Sequence, residues 1–180
     1  DKISKKFKEA WKSLDISPDR FIRTTDKDHE KVVMEFIKKC NKAGDIYKGI
    51  YEGHYCVNCE AYITEKDLIN GECQYHPGKK IEKIKEDSYF FRLSKYKEFL
   101  LNLYNEHPEF ILPESKRNEV INRVKEGLND FSISRINFNW GIAFPLEKGH
   151  VVYVWFDALI NYLTGSNNHW PADLHILGKD

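Results

Sequence analysis

Three cysteines and a histidine carry the most specific chemical spacing in the chain. Cys56-Val57-Asn58-Cys59 is followed, after thirteen residues, by Cys73-Gln74-Tyr75-His76. A two-residue gap lets one tight knuckle offer two ligands to the same ion. The stretch between the pairs allows a hairpin, so a C-x-x-C and a C-x-x-H pair meet the tetrahedral requirement of zinc. Pro77-Gly78 supplies turn residues where the second knuckle must bend. With Cys56, Cys59, Cys73 and His76 in place no position remains for water, so the expected zinc is structural. Such a site contributes roughly 10–16 kcal/mol of apparent binding energy to a small lobe with little core of its own. A Cys56–Cys59 redox pair with an unrelated Cys73 and His76 is the competing reading, and His54 is a rival ligand with poorer spacing. The fourth cysteine, Cys40, follows Val33, Phe36 and Ile37 at helical spacing and reads as a small core residue. With no signal-peptide pattern at the start of the chain, the four cysteines favour metal and core roles over disulfides.

A second set of candidates closes the chain. Val151-Val152-Tyr153-Val154-Trp155 is a continuous apolar run, the pattern of a strand buried on both faces. Asp157 is placed to N-cap a helix through Leu159, Ile160, Tyr162 and Leu163 that Gly165 closes, and Leu174–Leu177 reads as a second strand. Strand, helix, strand implies a parallel α/β sheet, in which ligands bind beyond the carboxyl ends of the strands. Trp155 would then line an apolar pocket, Gly178 would allow close backbone approach, and Asp180 would accept from ribose hydroxyls. The same pattern is also satisfied by Trp155 and Tyr162 as core aromatics, Asp157 as a cap and Asp180 as a solvated turn residue.

Other elements must hold these groups in place. Ile3, Phe7, Trp11 and Leu14 mark one face of a helix, Phe21–Thr25 is a short β-like run, and a helix from Asp26–Asp28 to Gly44 carries Cys40. Ile46–Tyr55 reads as β structure leading into the knuckles. Ser94 is expected to cap a helix with Tyr96, Phe99, Leu100 and Leu103 inward, and Pro113 opens another that Gly127 ends. Phe131–Arg135 and Phe138–Ile142 read as extended.

The chain has 180 residues, 41% of them hydrophobic, and 28 Lys plus Arg balance 28 Asp plus Glu. That is a globular composition with material for a core, and it excludes a protein gripping nucleic acid by bulk positive charge. The longest apolar run, Val151–Phe156, is too short to span a bilayer, so no membrane partner is expected. The sequence reads as the middle of a longer protein.

Beyond spacing, the chain resembles the methionyl-tRNA synthetases, class I aminoacyl-tRNA synthetases. The resemblance rests on Phe21–Asp26 (FIRTTD), His29-Glu30-Lys31, Gly53–Cys59 (GHYCVNC), Tyr89–Lys95 (YFFRLSK) and Pro113–Val120 (PESKRNEV). Ser132–Arg135 (SISR), Trp140-Gly141-Ile142, Val151–Tyr162 (VVYVWFDALINY) and Gly178-Lys179-Asp180 continue it in family order, nearly end to end. It implies a partial Rossmann-type α/β catalytic domain with a parallel sheet, interrupted by a zinc-binding connective insertion. Residues 1–47 would belong to the first catalytic half, 48–149 to the insertion with its stem, and 150–180 to the start of the second half. It further implies that Trp155, Ala158, Leu159 and Tyr162 line the methionine pocket, with Leu159 where some members have Pro. Gly178 and Asp180 would hold the adenosine ribose, and Arg135 would serve methionine activation. Some members carry two four-cysteine knuckle pairs, whereas His76 as fourth ligand places this chain in a single-zinc branch.

The implied activity is methionine–tRNA ligation with methionine, ATP with Mg and the tRNA acceptor end, in the cytoplasm or an organellar matrix. The family's phosphate-handling signatures, His-Ile-Gly-His and Lys-Met-Ser-Lys-Ser, are not in this sequence, and the piece alone is expected to be inactive. The alternative is a non-catalytic zinc-ribbon module that binds tRNA or acts as a scaffold.

Overall fold

The structure is a computed structural model and describes residues 2–56, 58–59, 61–63, 68–136, 140–166 and 173–176. Helix α1 (Lys2–Ser13) has the expected amphipathic spacing, yet Ile3 and Phe7 stay exposed and Trp11 meets Phe21 at 5.1 Å between ring centroids. Phe21–Thr25 forms no strand. The chain turns there instead, the Asp26 amide donating to the Arg23 carbonyl and the Arg23 amide to the Asp26 carboxylate, at 2.9 and 3.0 Å.

Helix α2 (Lys27–Lys42) places Asp28 and Glu30 in its first turn and Lys39 and Lys42 in its last, complementing the helix dipole at both ends. It buries Val33 and Ile37 completely. Gly44, at φ +76°, reverses the chain after Ala43. The Asp45 amide then donates to the Cys40 carbonyl (2.9 Å) and the Gly44 amide to the Asn41 carbonyl (3.0 Å). This is the Schellman closure that a glycine just past the helix end permits.

That reversal feeds β1 (Ile46–Cys56). The chain continues through β2 (Ala61–Ile63), β3 (Leu68–Ile69), β4 (Glu72–Cys73) and β5 (His76–Lys80), then returns along β6 (Glu82–Phe91). Strands β1 and β6 pair antiparallel from Ile46↔Phe91 to Tyr55↔Glu82, while β3, β4 and β5 make a separate small sheet. Helices α3 (Lys97–Glu106) and α4 (Glu114–Glu126) follow and pack together. Ser94 does not cap α3: a 3-10 turn over Leu93–Tyr96 precedes the helix. Its amide and hydroxyl both donate to the Asp130 carboxylate, at 3.1 and 2.6 Å. Phe99, expected inward, is exposed. Pro113 does stand at the start of α4 and Gly127 at its end.

The chain then runs through β7 (Phe131–Ser132), β8 (Ser134–Arg135) and β9 (Val151–Val152) into α5 (Val154–Gly165). The strands order as β2-β1-β6-β7 in one sheet and β8-β9 in another, and every pairing among the described residues is antiparallel. Val151–Trp155 is therefore not one strand. Pairing stops at Val152, the Tyr153 amide donates to the Ile133 carbonyl, and the helix starts at Val154 with Tyr153, not Asp157, at the N-cap position. A continuous apolar run does not by itself distinguish a buried strand from the start of a buried helix. Leu174, His175 and Ile176 form no strand, and Leu177 lies outside the described residues.

The main core is formed where α2 and α5 close over these strands, with Val33, Ile37, Ile46, Ile133, Ile142, Phe144, Val152, Phe156 and Ile160 buried together. Phe156 is its hinge point, with Phe36, Phe91 and Phe131 all near 6 Å from its ring centroid (6.1, 6.0 and 6.2 Å). Gly141, at φ +140°, passes so close to Val151 that a Cβ would sit 3.3 Å from the valine Cβ. No described helix is long and apolar enough to cross a membrane.

One polar group inside this core carries a cost. Asp157 is buried on α5, and its Oδ1 has no hydrogen-bond partner among the described residues. Burial pushes its carboxyl up to about 6. Because that is above the unfolded value, stability from this group is full below pH about 4 and is lost as pH rises through about 6. Asp157→Asn is expected to stabilise the chain at pH 8, by about 3 kcal/mol at most, and to change little at pH 4. Thermal unfolding of both proteins at the two pH values checks this; an equal difference at both would sink it.

Candidate metal centre and an apolar helix face

The knuckle residues converge at the far end of the β1/β6 ribbon. Cys56 ends β1, Cys73 ends β4 and His76 opens β5, so the two hairpin ends face one another. The Sγ atoms of Cys56, Cys59 and Cys73 and Nδ1 of His76 all lie within 4.8 Å of one another. Cys59 Sγ is 3.5 Å from Cys73 Sγ and 3.1 Å from His76 Nδ1, and that nitrogen is 3.8 Å from both Cys56 and Cys73. Zinc with bonds of about 2.3 Å to sulfur and 2.0–2.1 Å to nitrogen has tetrahedral edges of about 3.5–3.8 Å, so the donor set fits a metal ion. None of the four cysteines is in a disulfide. Burial alone would raise the Cys56 thiol, but amide donors at Cys59 and Asn58 and the neighbouring thiols hold it down to about 7, whereas burial and the thiols of Cys73 and Cys56 push Cys59 up to about 12, so of these two Cys56 gives up its proton first. Around the quartet the lobe has a small core of Cys56, Ile63 and Cys73, with Cys59, Leu68 and Ile81 against it.

Helix α5 has two distinct sides. Phe156, Asp157, Ile160 and Thr164 point inward. Trp155, Leu159 and Tyr162 are 64, 60 and 37% exposed, and Ala158 between them is half-buried. At 3.6 residues per turn these four form one stripe, opposite the buried one. Reading Trp155 and Tyr162 as core aromatics therefore fails: both stand outside the core of this structure. Past Tyr162 the stripe meets a cavity of about 500 Å³ lined by Asn161, Gly165, Leu174, His175 and Ile176, with Tyr162 edge-on to the His175 ring at 5.5 Å. Gly178 and Asp180, the expected ribose-binding pair, lie outside the described residues.

Arg135 takes a different kind of position. All of Ser132–Arg135 is buried, at the joint where the chain leaves the β6 sheet for β9. The Arg135 guanidinium is 5% exposed, lies 4.1 Å from the Tyr153 ring centroid and 5.1 Å from that of Tyr51, and has Nε 3.8 Å from Glu86. It also donates to the Ser134 carbonyl (2.7 Å) and the Ser132 hydroxyl (2.5 Å). The Ser134 hydroxyl accepts from the Tyr89 amide (3.0 Å) and meets His150 Nδ1 (3.1 Å). The sequence reading missed Tyr51, Tyr153 and Glu86 as partners of Arg135. They come from three separate elements, and the only local signal was the run of four tyrosines, Tyr47, Tyr51, Tyr55 and Tyr62, near the knuckles.

Comparison with known proteins identifies the family. A family profile described as "tRNA synthetases class I (M)" matches residues 1–83 and 64–173. The chain is 48% identical over its whole length to the methionine–tRNA ligase of Caldanaerobacter subterraneus subsp. tengcongensis and 46% to that of Thermotoga maritima. It spans 30% of the length of each. Among solved structures, Mycobacterium tuberculosis methionyl-tRNA synthetase in complex with methionyl-adenylate matches with a TM-score of 0.81 and 44% identity, over 94% of this chain and 36% of that one. Its apo form matches at 0.79 and 43%, over 96% of this chain and 37% of that one. The expected α/β class follows from these neighbours, which are Rossmann-type synthetases. By sequence and by fold, the chain belongs to the class I tRNA synthetases of the methionyl (M) family.

Proposed function

We propose that this chain is the portion of a methionine–tRNA ligase that holds methionine and a structural zinc ion. The observation that carries the reading is the apolar stripe of Trp155, Ala158, Leu159 and Tyr162 on the face of α5 turned away from the core. An apolar stripe left uncovered by the core suits a thioether side chain. In the proposed reaction the methionine carboxylate attacks the α-phosphate of ATP, releasing pyrophosphate and forming methionyl-adenylate. The acyl group then passes to the 3′-terminal adenosine of tRNA, at the acceptor end. No side chain serves as a covalent nucleophile; positioning and stabilisation of phosphate charge do the catalysis. ATP enters with Mg, and Gly178 and Asp180 are proposed to hold its ribose. Arg135 is proposed to serve activation as a positioning residue, since one of the groups it touches is Tyr153 at the start of α5. The proposed division stays at 1–47, 48–149 and 150–180, and the proposed setting is the cytoplasm or an organellar matrix.

Zinc on Cys56, Cys59, Cys73 and His76 would be fully ligated by protein and so would fold the lobe without entering the reaction. The ribbon supports that separation. The quartet begins at Cys56, ten residues along β1 from Ile46 in the core that α5 covers, a span of about 33 Å at strand rise. Selectivity for methionine rests on apolar shape, where one methylene is worth about 1–3 kcal/mol, so near-isosteres are expected to be poorly rejected.

Two substitutions test the two halves of the reading. Cys59→Ser should lose bound zinc and unfold the lobe; metal content and folding that survive it would break the four-ligand assignment. Trp155→Ala in a full-length synthetase should raise the methionine KM at least about tenfold, given the energetic value of even one methylene in such a pocket. The ATP KM should move little, and an equal rise in both would remove Trp155 from the pocket. The 180 residues alone should show no methionine-dependent ATP–pyrophosphate exchange, and exchange by them would contradict the assignment of the activity to the longer enzyme.

A further inference from the structure

The stripe on α5 is useful only if the helix is held at one rotation about its own axis. Its inward side docks through Phe156 and Ile160, which pack against α2 without directional preference. The directional contacts on that side come from one imidazole. His29, in the first turn of α2 and 0% exposed, places Nδ1 3.0 Å from Oγ1 of Thr164, 135 residues away on α5. Thr164 is itself buried, and its hydroxyl donates to the Ile160 carbonyl at 3.2 Å. The tautomer sets the direction of the bond: Nδ1–H donates when the threonine proton stays on the Ile160 carbonyl, and Nδ1 accepts from the threonine hydroxyl when the ring proton sits on Nε2. It is a side chain to side chain hydrogen bond between α2 and α5, and the same imidazole also interacts with the Asp157 backbone on α5. Nine residues separate Trp155 from Thr164, about half a turn in helical phase, so the bond grips the helix directly behind the stripe.

The neighbouring turn braces the same end of α5. Arg20 donates to the Thr164 carbonyl at 3.3 Å and pairs with the Asp28 carboxylate next to His29. Ile22 lies so near Gly165 that a Cβ there would sit 3.0 Å from its Cδ1. Burial holds the His29 imidazole below its usual range against the pull of Asp28 and Asp26, so near neutral pH it acts as a neutral hydrogen-bonding group. A hydrophobic residue of similar size would fill the space but could not set the angle of the helix.

We infer that His29 is a positioning residue of the methionine pocket: its hydrogen bond to Thr164 fixes the rotation of α5 on α2 and thereby the placement of Trp155, Ala158 and Tyr162. This rests on the reading that α5 carries the pocket. The test measures methionine and ATP KM values by pyrophosphate exchange in a full-length synthetase. His29→Leu and Thr164→Val, which keep volume but remove the bond, should each raise the methionine KM roughly five- to tenfold, the loss expected for one buried hydrogen bond. The ATP KM should stay within about twofold, and the double variant should be no worse than the poorer single one, as for two partners in one bond. His29→Asn, whose amide lies near the Nδ1 position, should recover most of the loss. A methionine KM unmoved by Thr164→Val, equal rises for methionine and ATP, or a His29→Asn as impaired as His29→Leu would each overturn the inference. Trp155→Ala measured alongside separates the two levels. If it leaves the methionine KM alone, the pocket reading falls and takes this inference with it; if it acts and the pair does not, only the inference falls.

Discussion

The antiparallel ladder between Ile46–Cys56 and Glu82–Phe91 places every other feature. Its inner end, Ile46 opposite Phe91, is part of the core that α2 and α5 cover, and its outer end delivers Cys56 to the metal quartet. A ladder of this kind has no freedom of register where one end is buried, because a one-residue slip would turn Ile46 and Phe91 out of the core. The same pairing that fixes the core therefore fixes the position of the knuckles. It also brings Tyr51 and Glu86, opposite each other on the two strands, to the same level as Arg135.

The two ends of the ribbon are stabilised by different physics. At the inner end apolar burial suffices: aromatic rings from α2, β6, β7 and α5 meet around Phe156. At the outer end the described core is two cysteines and an isoleucine with three half-buried partners, too little to fold a lobe of that size unaided. A tetrahedral ion is the compact solution, since its four bonds replace a core that the chain is too short to build. Between the ends, Arg135 shows how a full charge is kept inside a protein. It lies close to two tyrosine rings, faces Glu86, and donates from Nη1 to Ser132 and the Ser134 carbonyl.

Helix α5 is held at both ends by polar contacts and in the middle by apolar ones. Tyr153 at its start lies against Arg135, and Thr164 near its finish is bonded to His29. The apolar residues Phe156 and Ile160 between them supply affinity without direction. Two directional contacts a helix length apart are what a binding face needs if its side chains are to keep one geometry, and α5 presents that face away from the core. The Asp157 carboxyl in its first turn, whose Oδ1 has no partner among the described residues, is the price of placing a polar residue under such a face, and its raised pKa is how the fold accommodates it.

The sequence alone determined whatever depends on short spacing. The knuckle quartet follows from two-residue gaps, the Gly44 and Gly127 helix ends from residues that tolerate unusual backbone angles, and the family from motifs in order along the chain. It determined less where local pattern is degenerate. The apolar run Val151–Trp155 reads equally as strand or helix start, and only the pairing of Val151 and Val152 with β8 showed where one ends and the other begins. Ser94 has the residue type of a cap, but the Asp130 carboxylate, brought near by the fold, competes successfully for its donors. Whether Trp155 and Tyr162 were core or surface, which aromatic rings enclose Arg135, and that His29 reaches Thr164 were decided by tertiary structure alone. Each depends on which faces of distant segments meet, and that is set by the summed packing of the core rather than by any neighbour in the chain.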